Sequence, residues 1–370
     1  MNSILRPHAE DAFYSELEAL KKFDKRDKPT SWLLSPWSVL QYIMGDKLED
    51  GTVITPKYIG DKKLVEIAIA TLLSDRALLL LGIPGTAKTW LSEHLAAAIS
   101  GDSTLLVQGT SGTSEDALRY GWNYAQLIAK GPSREAMVPS PVMKAMSNGK
   151  LVRIEELTRI PTEVQDALIT ILSEKTLPIS ELNDELQGVQ GFNVIATAND
   201  QDKGIHPMSS ALQRRFNTLV MPLPENLEDE VRIVQQRISQ MEQMMQINLE
   251  KLKENLTEKL VIMFRELRSG ISTDGKQKIK ATKAALSPAE AISILHHARI
   301  QHHFFSDKPF GPSQLASGLI QSIIKNDPDE KITLQEYTET VLKKRTDYKD
   351  WYEVMHKILA DKKITNDKSF

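Results

Sequence analysis

The residues with the clearest chemical meaning stand in a short loop that follows an apolar segment. Ala77–Leu81 leads into Gly82–Thr89, which reads Gly-Ile-Pro-Gly-Thr-Ala-Lys-Thr. An apolar strand, a glycine-containing loop and a Lys-Thr pair that opens a helix form the context of a phosphate-binding loop. Backbone N–H groups of such a loop point at the β-phosphate of a nucleotide. The alternative is an ordinary turn between strand and helix, with Lys88 exposed.

Individual residues of this loop have different predicted roles in binding a triphosphate. Lys88 is predicted to neutralise the β- and γ-phosphate oxygens, and the hydroxyl of Thr89 to ligate Mg²⁺. Ala87 stands where the motif has its last glycine, so we expect a negative φ there, at which a Cβ is tolerated. The remaining residues of the predicted phosphate cradle are Gly82, Pro84, Gly85 and Thr86.

Two adjacent acids, Glu155 and Glu156, end the apolar segment Leu151–Ile154. Phosphoanhydride hydrolysis uses one carboxylate near the metal and another group that orients the attacking water. We assign Glu155 to Mg²⁺, through a water molecule, and Glu156 to polarising the water. Two acids after a strand are common on solvated surfaces, and their place after a phosphate loop favours the catalytic interpretation. Arg153 interrupts the segment and Glu155 stands where Asp is usual, which predicts slow turnover.

A third segment, Asn193–Thr197, precedes Asn199, whose amide is predicted to hydrogen-bond the water or the γ-phosphate. The pair Arg214 and Arg215 follows before another apolar stretch. An arginine supplied by a neighbouring subunit stabilises charge on the transferring phosphoryl group. Arg215 is our first choice for this role and Arg214 the second, and a structural salt bridge is the alternative for either.

Composition limits the classes of function. The 370 residues carry a net charge of −3, 41% are apolar, and none is cysteine. Disulfides, thiolate catalysis and cysteine-ligated zinc are therefore excluded, and the mild acidity argues against a nucleic-acid partner. The first residues lack the apolar core of a signal peptide, and the longest apolar run is too short for a membrane span. We expect a cytoplasmic protein with no membrane partner.

The pattern along the chain predicts an α/β protein with helical additions. We predict a helical arm over 1–50, an α/β core over 51–223, a helical lid over 224–305 and a helical C-terminal extension over 306–370. Alternating short apolar runs and helical patterns predict a mostly parallel sheet between helices. Predicted strands are Ala77–Leu81, Thr104–Gln108, Leu151–Ile154 and Asn193–Thr197, and predicted helices are Lys62–Leu73, Thr89–Ile99 and Thr162–Ser173.

The lid carries an apolar stripe and two histidine pairs. Apolar residues at 3/4 spacing from Val231 to Leu267 predict helix packed on neighbouring helices, with a coiled coil as the alternative. His296, His297, His302 and His303 share one predicted helix, and their spacing does not favour a metal site.

Taken together, these motifs resemble the MoxR branch of the AAA+ ATPases over roughly Thr55–Leu223. The phosphate loop, including Ala87, is similar to that family's loop, and Glu155–Pro161 resembles its acidic motif. The resemblance implies an AAA+ core, a hexameric ring, a chaperone-like remodelling activity and a partner with a von Willebrand A domain. It places adenine near Tyr58 and Ile59.

The resemblance also implies insertions and reveals departures. One insertion is expected near 119–141, where Tyr120, Trp122 and Tyr124 face either a pore or the sheet, and a hairpin is expected near 176–192. The family's lid helix carries a Ser-Pro-Arg motif, whereas this chain has Ser287–Ala289 without the arginine. The missing cation would come from Arg299 or from a lysine within 276–283, or coupling to the lid would be weaker.

The sequence as a whole predicts an ATP hydrolase that binds Mg-ATP in a ring and remodels or assembles a protein partner. Two alternatives remain open. One is a nucleotide-gated switch with little turnover, which the substitutions at 153, 155 and 289 favour. The other is a DNA-acting AAA+ motor.

Overall fold

The computed structural model describes residues 4–199, 206–245, 247, 249, 254–324, 327 and 329–361. The chain divides into two compact units: the first comprises residues up to Ile83 and Ala87–Pro222, and the second comprises Pro84–Thr86 and the chain from Leu223 onward. The predicted C-terminal extension includes residues 362–370, which lie outside the described part. No helix in that part is long and apolar enough to cross a membrane.

The first unit is built on a five-stranded parallel sheet in the order β5-β1-β4-β3-β2. Its three inner strands are buried because helices cover both faces, which is typical of parallel sheets. The strands are β1 (Ala77–Leu81), β2 (Leu106–Gln108), β3 (Leu151–Glu155), β4 (Asn193–Ala198) and β5 (Phe216–Val220). The α/β class and a mostly parallel sheet are therefore confirmed.

Short helices surround the sheet. The bounds of Lys62–Leu73 match the prediction, whereas the predicted helix Thr162–Ser173 is two helices, because the chain turns between Gln165 and Leu168. The helices of the first unit are α1 (Ala9–Ala12), α2 (Tyr14–Phe23), α3 (Pro36–Met44), α4 (Lys62–Leu73), α5 (Lys88–Ser100), α6 (Tyr124–Lys130), α7 (Pro141–Asn148), α8 (Thr162–Gln165), α9 (Leu168–Ser173) and α10 (Ser210–Gln213).

Three antiparallel pairs of short strands complete the unit: Asp46–Lys47 with Val53–Ile54, Tyr120–Trp122 with Met137–Pro139, and Thr176–Ile179 with Asp184–Gln187. The last two lie in the expected insertions.

Glu181 joins these two insertions. The Tyr120 hydroxyl donates to its Oε2 at 2.7 Å, and the Trp122 indole N–H donates to its Oε1 at 3.4 Å. Tyr120 is buried, whereas Tyr124 is 69% exposed. The aromatic residues of the first insertion therefore divide between a packing role and an exposed one.

The N-terminal arm is part of the first unit's core. Leu17, Leu20 and Trp32 share one apolar cluster with Leu91 of α5 and Leu80 of β1. A buried ion pair joins the arm to the segment after it, because Lys57 Nζ donates to Glu16 Oε2 at 2.6 Å.

Among its described residues, the second unit has helices as its regular secondary structure, apart from one isolated bridge between Ile271 and Lys278. One apolar cluster runs from Val234 to Leu359, so residues of the predicted lid and of the predicted extension share it. The apolar stripe of the lid is divided between two helices, with residues 247 and 249 outside both. The helices are α11 (Leu227–Met245), α12 (Glu254–Ser269), α13 (Pro288–Phe305), α14 (Pro312–Ile324), α15 (Glu330–Thr340) and α16 (Lys349–Ala360).

The buried Lys57 generates a prediction about pH. Burial lowers its pKa to about 8, although the Glu16 carboxylate acts in the opposite direction. Because this folded-state pKa lies below the ordinary value of 10.5, the unfolded chain binds more protons between these pH values, and the free energy of unfolding rises with pH. Between about pH 7.5 and about pH 9.5, the free energy of unfolding of wild type should rise by about 1–2 kcal/mol relative to that of Lys57→Met. Urea unfolding measures both.

The control for this experiment is Lys62→Met, which removes an exposed lysine paired with Glu66. The difference between wild type and Lys62→Met should stay constant across the same pH range. An equally constant difference for Lys57→Met would contradict the prediction.

Candidate functional site

The chemistry-bearing residues of the first unit meet at the carboxyl ends of β1, β4 and β3. Parallel pairing aligns Leu81 with Ala198 and Ile154 with Ala196, so the three strands end side by side. The amide of Gly82 donates to the carbonyl of Ala198 at 3.3 Å. Ligand sites in open parallel sheets form at such strand ends.

Glu155 is the most heavily bonded side chain of the site. Its carboxylate is 2% exposed and accepts four hydrogen bonds. Oε2 accepts from the hydroxyls of Thr89 at 2.8 Å and Thr197 at 2.6 Å. Oε1 accepts from the hydroxyl of Ser92 at 2.6 Å and the guanidinium of Arg153 at 2.9 Å. A buried carboxylate requires this degree of pairing, and the pairing ties α5 to two strands.

Glu156 points away from its neighbour because the backbone turns at this residue. Its φ is +56°, in the left-handed region that non-glycine residues seldom adopt. The Asn199 amide donates to both carboxylate oxygens of Glu156, at 3.1 and 2.9 Å. The Glu156 amide donates to the Thr197 hydroxyl at 3.1 Å. The structure therefore brings together the acid and the amide that were assigned to the attacking water.

Gly109 permits the acid pair to sit against the end of β2. A Cβ at this position would lie 2.3 Å from the carbonyl oxygen of Glu156 and 2.8 Å from that of Glu155. The Gly109 amide donates to the Glu155 carbonyl at 2.7 Å. Only glycine allows this approach of two backbones without a shift.

The phosphate loop closes around its own lysine. Lys88 is buried, and its ammonium donates to the carbonyls of Gly82 and Ile83 at 2.8 Å each. Gly85 has a φ of +82°, which suits a glycine in a tight loop.

The expected negative φ at Ala87 is wrong. Ala87 has a φ of +61° and a ψ of +21°, and it caps α5 in the left-handed conformation. The loop must reverse into the helix here, and this closure overrides the local preference of alanine, at a cost of roughly 1–2 kcal/mol.

The donor set next to Lys88 fits Mg²⁺. Thr89 Oγ1 and Glu155 Oε2 lie 2.8 Å apart. Both are oxygen donors, and Mg²⁺ in nucleotide sites takes one or two protein oxygens and completes its shell with water and phosphate. No group of three or more His, Cys, Asp or Glu side chains that could hold a metal occurs in the described part of the chain.

The two candidate arginines have different surroundings. The Arg215 guanidinium is half-buried and donates to the Ser173 hydroxyl and the Ala211 carbonyl of its own chain. Arg214 is exposed, and its carbonyl accepts from the Arg76 guanidinium.

The residues expected near adenine lie in the first unit, and the candidates for the missing lid cation lie in the second. Tyr58 is buried in the cluster that contains the arm, and Ile59 is half-buried beside it. In the second unit, Arg299 is buried and pairs with Glu242 at 2.5 Å. Lys283, from the lysine-rich segment, pairs with Asp327 at 2.8 Å.

Three residues of the site were not foreseen from the sequence. Ser92 lies three residues after Thr89 and therefore on the same face of α5. Thr197 stands two residues before Asn199 and, on a strand next to β3, could have been paired with Glu155 by register. Gly109 ends a short apolar run, and a glycine there is itself a signal of close backbone approach.

Because Ala87 is left-handed, its replacement by glycine should change the free energy of unfolding in the opposite direction to the same replacement inside α5. Ala87→Gly should raise the free energy of unfolding by about 0.5–1 kcal/mol, because relief of backbone strain exceeds the entropy that glycine adds to the unfolded chain. The matched control, Ala96→Gly in the interior of α5, should lower it by at least about 0.5 kcal/mol. Urea unfolding measures both, and destabilisation by Ala87→Gly would refute the assignment of strain.

Comparison with known proteins identifies two matching family models. The AAA domain of the dynein-related subfamily matches residues 77–216, and the YehL-like AAA+ ATPase C-terminal domain matches residues 228–358. Among solved structures, NtrX from Brucella abortus is 12% identical, with a TM-score of 0.48 over 81% of this chain and 62% of that chain.

One curated relative extends the match over nearly the whole chain. The uncharacterized protein YehL of Escherichia coli K12 is 36% identical, over 96% of this chain and 98% of its own length. The uncharacterized protein SH1500 of Staphylococcus haemolyticus is 29% identical, over 44% of this chain and 62% of its own length. The order of phosphate loop, acid pair and amide thus stands in a chain that belongs to the YehL-like family of AAA+ ATPases.

Proposed function

We propose that this protein binds and hydrolyses Mg-ATP in a ring of identical subunits and uses turnover to remodel or assemble a protein partner. The observation that carries the proposal is the direct contact of Thr89 with Glu155, beside the contact of Asn199 with Glu156. The phosphate loop and the hydrolytic acid are thereby held at one place.

The arrangement supports in-line attack of water on the γ-phosphate. Lys88 would exchange its two carbonyl partners for phosphate oxygens, a stronger charge-assisted contact. Glu156, oriented by Asn199, would accept a hydrogen bond from the attacking water and align it. Thr89 and Glu155 would hold Mg²⁺, which when bound neutralises charge on the phosphate oxygens.

A nucleotide-gated switch is the second candidate. The observation in its favour is the ion pair between Arg153 and Glu155, whose side chains are 5% and 3% exposed. The guanidinium offsets part of the negative charge of Glu155, and slow turnover is the property that a switch requires.

Two substitutions separate the hydrolase from the switch. Lys88→Ala should lower ATP affinity at least about tenfold, because a charge-assisted contact is lost. Glu156→Gln keeps the size of the side chain and should leave affinity within about twofold while lowering kcat about 100-fold or more. Equilibrium binding of a fluorescent ATP analogue and phosphate release measure the two effects.

Each outcome is decisive. Equal phosphate release by wild type and Glu156→Gln would favour the switch. Unchanged affinity in Lys88→Ala would refute the assignment of the phosphate loop.

A ring requires one subunit's arginine to reach the next subunit's nucleotide. We propose that Arg214 or Arg215 serves this role. Arg215 is the expected residue by sequence, but it is already bonded within its own chain, whereas exposure favours Arg214. Each serves as the other's control, because the side chains are adjacent.

The arginine prediction concerns assembly and turnover together. Light scattering should show a larger particle with ATP and Mg²⁺ than without. Substitution of the acting arginine by alanine should lower kcat about 1000-fold, and mixing with Glu156→Gln subunits should restore part of the rate. A chain that remains monomeric with nucleotide at high concentration would exclude the trans mechanism.

The remaining proposals rest on the resemblance to MoxR-like ATPases. We propose a hexamer, a cytoplasmic location and a partner with a von Willebrand A domain. The DNA-acting motor is disfavoured by the net charge of −3, and ATPase stimulation by DNA would revive it.

A further inference from the structure

The middle of strand β3 contains an arginine where its neighbours are apolar. Arg153 is 4% exposed and lies between Leu106 of β2 and Ile195 of β4 in register. A buried arginine is costly unless its donors are satisfied. Its partners therefore indicate why the position carries a charge.

The partners of Arg153 lie in α5, in the segment that follows α5, and in β3 itself. Its Nε donates to the Ser92 hydroxyl at 3.1 Å, and its terminal nitrogens donate to the carbonyl of Ser103 at 3.1 Å and of Thr89 at 3.5 Å. A further terminal nitrogen contact, at 2.9 Å, reaches Oε1 of Glu155. The guanidinium thus contacts the first turn of α5 and the acid that faces it.

The contacts divide the two oxygens of Glu155 between different tasks. Arg153 and Ser92 occupy Oε1, while Oε2 contacts Thr89 and Thr197. A glutamate side chain has one more rotatable bond than an aspartate. Two donors on Oε1, from Arg153 and Ser92, restrict that added freedom and thereby fix the direction of Oε2.

We propose that Arg153 is a positioning residue that holds Glu155 so that Oε2 faces the Mg²⁺-binding hydroxyl of Thr89. The inference rests on the proposed binding of Mg-nucleotide. Residues 153 and 155 then act as a unit. A glutamate at 155 needs the arginine at 153, and an aspartate at 155 would need an apolar residue at 153. The pair then explains both departures from the acidic motif with one physical cause.

A double-mutant cycle tests this unit. The variants are Arg153→Leu, Glu155→Asp and the combination of both. Arg153→Leu leaves Glu155 without its fixing donor, and Glu155→Asp leaves the guanidinium without a carboxylate in reach. The double variant removes the unpaired charge and returns a short acid to an apolar strand.

The measurement is the affinity for a fluorescent ATP analogue with Mg²⁺ and with EDTA, corrected for the folded fraction from circular dichroism. In wild type, Mg²⁺ should tighten binding. In each single variant, Mg²⁺ should tighten binding about tenfold less than it does in wild type. The affinity in EDTA should change little. The double variant should recover to within about threefold of wild type, and Arg153→Lys, which keeps the charge but loses the fork, should be intermediate.

Lys150→Met is the matched control. It removes a cation at the start of the same strand whose partner is Asp102 rather than Glu155, and its Mg²⁺ effect should equal that of wild type.

The outcomes are distinguishable. If Arg153→Leu lowers thermal stability but keeps the full Mg²⁺ effect, Arg153 is only structural and the inference fails. If the losses in the single variants add in the double variant, the two positions do not act as a unit. If wild type binds no nucleotide, the proposed function itself fails and takes the inference with it.

Discussion

One buried carboxylate organises the candidate site. Glu155 accepts hydrogen bonds from α5, from its own strand and from the strand beside it. Because an unpaired buried charge costs several kcal/mol, these elements cannot move apart independently. The spacing between Lys88 on one side and the Glu156–Asn199 pair on the other follows from this single constraint.

Backbone strain is concentrated at the same place. Four non-glycine residues of the described chain have positive φ, and two of them, Ala87 and Glu156, stand in the phosphate loop and the acid pair. Such residues persist only where the surrounding structure fixes them, and they cluster at functional sites. Glu155 and the loop around Lys88 provide that support, so the hydrogen bonds of the site also maintain its unusual backbone.

The sequence predicted much of the sheet because its signals are local. Apolar runs mark β1, β3 and β4. A glycine-containing loop that leads to Lys88 follows β1, whereas polar residues stand at the end of β3 and directly after β4, so parallel pairing brings Lys88, Glu155 and Asn199 to one edge. The contacts of Ser92, Thr197 and Arg153 were not predicted, because they depend on which side chains face each other across elements. The left-handed Ala87 was missed because loop closure, a non-local requirement, prevails over local preference. The division of the lid stripe into two helices was missed because neither Gly nor Pro marks it.

The position of the N-terminal arm bears on what counts as a domain in this family. The segment matched by the AAA model begins at Ala77, yet the apolar cluster on one face of its sheet also contains Leu17, Leu20 and Trp32. Without the residues before 77, the residues of α5 and of the sheet that belong to this cluster would lose part of their apolar cover and meet water. The smallest autonomous folding unit of the ATPase core is therefore wider than its recognisable motif, and a truncated expression fragment designed on the motif alone would omit part of its own interior.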